Sequence, residues 1–304
     1  MYPFQDKSSP MEPIIYQILF YGSRVVLFFL LLHRWRALWA GRVIRFSLLT
    51  IVVFTFLRVR WVEPNQVAIR HTNLDLWTGK KIALLSDLHL GVYKDWTYLQ
   101  RVVNTINAQP WVDMVFIAWD FTFWPEIDQK KMEELFQPIA DLRVPIYMVL
   151  WNHDVEEPGP KLRNELVRAL ENLGVIFLAN DVVDFWTRKL VGLGDHDAGE
   201  DEVFLLNQFH AAETVVVLTH NPDTVLAYNN YNVDATLVGH THCGQIRLPW
   251  VHRYIGKYII PTKGEFDCGL IATKYTTVFI TPGVGEVILP MRWFNPPTID
   301  IVSL

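Results

Sequence analysis

Residues 235–243 read A-T-L-V-G-H-T-H-C, a short strand-like run that ends in a glycine and two histidines one residue apart. The same arrangement occurs four times upstream: I-A-L-L-S-D-L-H-L at 82–90, M-V-F-I-A-W-D at 114–120, I-Y-M-V-L-W-N-H-D at 146–154, and V-V-V-L-T-H-N-P-D at 215–223. Each apolar run is too short for a helix and carries polar, ligand-type groups just past its C-terminal end. In open α/β sheets that edge is where ligands bind. The candidate site is therefore Asp87 and His89, Asp120, Asn152 with His153 and Asp154, His220, and His240 with His242. Carboxylate, amide and imidazole without thiolate form an O/N ligand set, suited to Mn, Fe, Zn or Mg rather than a structural zinc knuckle.

Outward from these runs, strands are expected at 81–86, 114–118, 146–150, 214–218 and 235–238, with a further pair at 189–193 and 277–280. Between them, 95–107 places Leu99, Val102, Val103 and Ile106 on one helical face. Residues 161–173 do the same with Leu162, Leu166, Leu170 and Leu173, and Gly174 supplies a stop. Strand alternating with helix implies a stacked α/β domain over 61–304. No internal repeat interrupts it.

The first sixty residues differ from this body. They hold eight Lys/Arg against two acidic residues, whereas 61–304 hold 19 basic and 30 acidic groups, within a chain of 304 residues and net charge -5. An acidic body argues against nucleic acid as partner. Apolar runs at 14–32 and 46–57 flank an arginine- and tryptophan-bearing connector, as in a membrane anchor of one or two helices contacting lipid through residues 1–60. Two spans would place the body outside and a single span would place it inside; the cytoplasmic face is the expectation carried forward. The two cysteines, Cys243 and Cys268, make no framework.

With these residues in view, the chain resembles the calcineurin-like metallophosphoesterases. Their ordered pattern D-x-H, G-D, G-N-H-D, H, G-H-x-H is matched here by S-D-L-H-L, W-D, W-N-H-D, T-H-N-P-D and G-H-T-H-C-G-Q. The G-H-T-H-x-G-Q tail and the apolar N-terminus resemble a bacterial membrane-associated phosphodiesterase subgroup, which implies the inner membrane as location. The resemblance implies a four-layer α/β/β/α sandwich and two divalent metal ions, manganese first among Mn, Fe, Zn and Mg. It implies that Asp87, His89, Asp120 and His242 hold one ion, and that Asp120, Asn152, His220 and His240 hold the other. His153 would protonate the leaving oxygen or stabilise the transition state, with Asp154 orienting its ring. The implied reaction is hydrolysis of a phosphodiester or pyrophosphate by a two-metal-activated hydroxide. One version of the substrate is a lipid-linked pyrophosphate such as a UDP-diacylglucosamine-type precursor of lipid A.

The family's glycines before the bridging aspartate and before the asparagine are here Trp119 and Trp151. Glycine permits close backbone approach and tryptophan does not. An obstructed pocket in a weakly active or non-catalytic metalloprotein is therefore the alternative to an active phosphoesterase. Asp195 and His196, after the 189–193 strand, and Arg247 are substrate-side candidates. Arg247 opens a stretch that interleaves basic and aromatic side chains through Trp250, His252, Arg253, Tyr254 and Lys257.

Overall fold

The computed structural model describes Gly22, residues 42–76, 79–118, 120, 122–123, 129–149, 163–252, 254, 260, 262 and 266–304. The expected helix at 14–32 lies outside these residues apart from Gly22, as do Trp119, Trp151, Asn152, His153 and Asp154. Helix α1 (Arg42–Leu57) carries the second apolar run and runs into a π-helical turn (Arg58–Val62) and a 3-10 turn (Glu63–Asn65). None of the side chains of α1 is buried. Among the described residues, no helix is long and apolar enough to cross a membrane.

The body then follows as β1 (Ala68–Asn73), β2 (Lys81–Leu85), β3 (Leu90–Gly91), α2 (Trp96–Asn107), β4 (Met114–Ile117), β5 (Thr122–Phe123), α3 (Gln129–Phe136), β6 (Ile146–Met148), α4 (Arg163–Asn172) and β7 (Val175–Phe177). Among the described residues its second half is mostly strand and short turn, with His252 and Tyr254 helical: β8 (Asp181–Phe185), β9 (Arg188–Gly192), β10 (Val215–Leu218), β11 (Ala235–Val238), β12 (Gly269–Ala272), β13 (Thr277–Ile280) and β14 (Thr298–Ser303).

Two six-stranded sheets result, ordered β1-β14-β2-β4-β6-β7 and β12-β13-β11-β10-β9-β8. The first is parallel except where β14 meets β2; the second is parallel except at its outer strands β12 and β8. Strands β4 and β10 read as unbroken apolar runs, and β2 and β11 nearly so, because both their faces are covered, as central parallel strands require. One face of the first sheet packs against the apolar side of α2, α3 and α4 through Tyr98, Leu99, Val102, Met132, Phe136, Leu166 and Leu170. The two sheets meet through Ile82, Leu84, Phe116, Val216, Leu218, Leu237 and Phe279. Each such fully buried aliphatic side chain contributes about 1.5–3 kcal/mol, and Leu84→Ala in this layer would cost about 2–5 kcal/mol.

Helix α2 begins where Asp95 accepts a hydrogen bond from Tyr98 N, so Asp95 caps the helix expected to include it. The layered α/β expectation holds, with one difference among the described residues. The outer face of the second sheet is covered by 3-10 turns (Val203–Gln208 and Pro222–Ala227) rather than by α-helices. The turns in the crossovers there are short, three to six residues each among those described.

Candidate metal centre

Parallel pairing places the C-terminal ends of β2 and β4 at one edge of the first sheet and those of β10 and β11 at one edge of the second. The loops leaving these ends bring Asp87, His89, Asp120, His220, His240 and His242 into the seam between the sheets, all buried. Asp87, His89, Asp120, His240 and His242 all have positive φ, between 45 and 69°. L-residues adopt that region at a cost, and such strain gathers where a site over-determines the backbone.

One ligand atom from each of Asp87, His89, Asp120 and His242 lies within 4.8 Å of all the others. His89 Nε2 is 3.0 Å from His242 Nε2 and 3.1 Å from Asp120 Oδ2, and His242 Nε2 is 3.4 Å from Asp87 Oδ1. Neighbouring ligands on one ion with bonds of about 2.1 Å lie roughly 3.0–3.4 Å apart, so these four groups fit a divalent cation. His220 is positioned by a hydrogen bond between Nδ1 and Ala118 O (2.6 Å), leaving Nε2 directed toward Asp87 Oδ1 at 4.0 Å. The His220 and His240 rings meet edge to face with centroids 5.1 Å apart. Asp120 belongs to the first cluster and His220 and His240 lie near it; these three are in the second ligand set that the family resemblance implies. Asn152, the remaining member, and His153 and Asp154 fall outside the described residues.

The electrostatics agree with a cation. Burial pushes the Asp87 carboxyl up to about 7, against the Ser86 hydrogen bond, the Arg292 charge and the His240 amide. Burial, followed by the neighbouring His89, holds the His242 imidazole well below its usual range. A bound divalent ion would favour ionised Asp87 and neutral His242, which are the forms that ligate.

Backbone without side chains allows the two sheets to approach. A Cβ on Gly239 would lie 1.7 Å from Ser86 Oγ and 2.7 Å from Asp87 Oδ2, so the glycine of G-H-T-H is where the β11 loop packs on the β2 loop. Its neighbour His240 donates its amide to both Asp87 oxygens at 3.2 Å. Below this, the fully buried Arg292 guanidinium donates to the carbonyls of Pro282, Gly283, Gly285 and Asn295, fixing the 282–295 loop under Asp87. Asn295 Nδ2 donates to His242 O at 2.7 Å, and Asn295 N donates to Glu63 Oε1 at 2.8 Å. Sequence reading missed Gly239's packing role, Arg292, Asn295 and Glu63. Only Gly239 sits inside a ligand motif; the others bear no ligand-like spacing.

The three substrate-side candidates are engaged locally. Asp195 accepts from the amides of Asp197 and Ala198, and His196 Nδ1 is 2.7 Å from Asp201 Oδ2. Arg247 forms a two-pronged pair with Asp267 at 2.6 and 3.0 Å and also donates to Cys243 O. Cys243 and Cys268 are joined in a disulfide, a pairing the sequence reading did not anticipate.

Comparison with known proteins agrees with this site. The profile of the calcineurin-like phosphoesterase family matches residues 80–244. The chain is 27% identical over 260 residues to the uncharacterized metallophosphoesterase YkuE of Bacillus subtilis, covering 81% of this chain and 88% of that protein. It is 26% identical over 215 residues to the phosphodiesterase YaeI of Escherichia coli, covering 68% and 76%. It is 25% identical over 258 residues to the UDP-2,3-diacylglucosamine pyrophosphatase LpxG of Chlamydia trachomatis, covering 67% and 78%. Some other relatives are longer, and the chain spans 50–63% of their length. The matched profile covers more than half of the chain and every ligand loop described above, so the chain belongs to the calcineurin-like phosphoesterase family and is a metal-dependent hydrolase.

Proposed function

We propose that this hydrolase cleaves a phosphodiester or pyrophosphate carried on a membrane lipid, with residues 1–60 holding it at the bilayer. The observation that carries the chemistry is the convergence of Asp87, His89, Asp120 and His242 from two different sheets on one buried point. Two divalent ions, when bound, would supply Lewis-acid charge to the phosphoryl oxygens and hydroxide near neutral pH. The chain's own groups would do the rest. Asp87, His89, Asp120 and His242 would hold the first ion, and Asp120 would be shared with a second held by Asn152, His220 and His240. A hydrogen bond from His220 Nδ1 to Ala118 O would hold the His220 ring, and one from Asn295 Nδ2 to His242 O the His242 backbone. His153 is the proposed proton donor to the leaving oxygen, oriented by Asp154.

The lipid-linked class is supported by the apolar, exposed α1 directly before the body and by the resemblance to LpxG, whose name specifies an acylated nucleotide sugar. Detergent-purified full-length protein is assayed with Mn²⁺ on an aryl phosphodiester and on a UDP-linked diacylated glucosamine in mixed micelles, with Asp120→Asn in parallel. Cleavage of both that is lost in the variant supports the reading. Cleavage of the aryl ester alone removes the lipid substrate. Cleavage of neither by a metal-loaded protein directs attention to Trp119→Gly and Trp151→Gly.

A further inference from the structure

Three segments surround the place where the chain enters the body. The first is α1 with its π-helical turn. The second follows His242, and the third is the 287–299 stretch. They are tied together by backbone: Arg292 N donates to Val59 O, Arg247 N to Trp293 O, and Trp293 N to Gln245 O. The Gln245 side chain adds bonds to the Val287 and Leu289 carbonyls. The Trp293 and Phe294 rings stack at 5.7 Å.

On this platform Trp250 is 79% exposed, Tyr254 63% and Phe294 56%, joined by exposed Val62, Val251 and Ile288. Large apolar side chains left in water in a group are a binding surface by default. Charge narrows the partner. One residue in eight of the body is acidic, yet residues 42–62, 243–263 and 287–299 contain no Asp or Glu; the first two hold eight Lys/Arg between them, of which Arg58 pairs with Glu63 and Arg247 with Asp267. Apolar and aromatic tips beside stretches richer in basic than in acidic residues are what an anionic lipid surface selects. The platform is also continuous with α1, whose exposed apolar side chains share that chemistry.

We infer that the 246–254 loop and the 287–294 loop form a second, interfacial lipid contact that seats the body on the membrane beside the metal centre. Trp250 and Tyr254 enter the headgroup region, and the loop that carries them begins four residues after the ligand His242. The metal site therefore faces the bilayer surface instead of swinging free on a tether, and a lipid-borne phosphate reaches it without leaving the membrane. This inference rests on the membrane attachment proposed above.

The test uses full-length protein in vesicles containing anionic phosphatidylglycerol. Because both native cysteines are paired, a single introduced cysteine takes a nitroxide label. Trp250→Cys and Tyr254→Cys report on the platform, Val52→Cys on α1, and Phe204→Cys, exposed on the outer layer of the second sheet, on water. Collision with lipid-soluble oxygen is compared with collision with a water-soluble nickel chelate. Positions 250 and 254 are expected to show an oxygen-to-nickel ratio several-fold above position 204, approaching that of position 52. A lipid-like signal at 52 with water-like signals at 250 and 254 overturns the platform and leaves the attachment standing. Water-like signals at all four positions overturn both. Shielding of 250 and 254 from both reagents, unchanged in detergent, indicates a second copy of the chain on this face and also overturns the inference.

Discussion

The imidazoles of His89 and His242, from loops of different sheets, stack with centroids 4.9 Å apart and bring their Nε2 atoms to 3.0 Å. Two neutral imidazoles cannot present lone pairs to each other at that distance without a proton or a cation between them. Metal removal is therefore expected to destabilise the fold as well as end activity. At a metal concentration 100 times the dissociation constant, binding adds about 2.7 kcal/mol, so thermal midpoints with and without chelator should differ by several degrees. His242→Ala should abolish most of that difference, and elemental analysis should show reduced metal per chain.

Asn295 donates to the carbonyl of His242 and is itself held by Glu63. Partners that orient ligands typically account for 10–100-fold in metal affinity. Asn295→Ala is expected to weaken metal binding by about that factor while the apo protein loses about 1–3 kcal/mol. Metal titration monitored by calorimetry separates the two effects. Equal affinity in variant and parent would reduce Asn295 to a packing role.

Asp195 gives the fold a pH dependence of its own. Burial pushes its carboxyl from 3.8 up to about 7, against the amides of Asp197 and Ala198. The folded state then binds this proton more tightly than the unfolded chain, so stability falls as pH rises from about 4 to 7 and levels off above. Asp195→Asn should flatten this fall. Urea midpoints at pH 5 and pH 8 should therefore lie closer together in the variant than in the parent.

The Cys243–Cys268 bridge closes a 25-residue separation between the loop after His242 and the start of β12. Loop closure of this size stabilises by about 3 kcal/mol. The double serine variant is expected to unfold at correspondingly lower denaturant. Such bridges persist on oxidising sides of membranes and are reduced in the cytosol, so the state of this pair reports which of the two sides the body occupies. Thiol alkylation of intact cells with a membrane-impermeant reagent, with and without prior reduction, distinguishes the two: labelling only after reduction is the expected result.

The strands that bear ligands were legible because burial on both faces writes them as short, mostly apolar runs such as V-V-V-L and A-T-L-V. Asp87, His89, Asp120, His220, His240 and His242 followed from their places at strand ends. Less visible were β1 and β14, whose sequences A-I-R-H-T-N and T-I-D-I-V-S carry charges inside the strand. Arg70 and Asp300 neutralise each other across the pair, with Nη2 to Oδ2 at 3.0 Å, and that contact spans 230 residues. No local pattern reports a partner so far away. The support of His242 by Asn295 and Glu63 is hidden for the same reason. The π-helical turn after α1 also escaped, since its sequence continues the helix without a break.

The position of β14 has a consequence for biogenesis. It lies between β1 and β2, parallel to one and antiparallel to the other, and pairs Asp300 with Leu84. During translation, β1 and the exposed flank of β2 must wait for it. At 5–20 residues per second that delay is on the order of ten to forty seconds. Through that interval the nascent chain carries two unsatisfied strand edges beside its apolar leading segment.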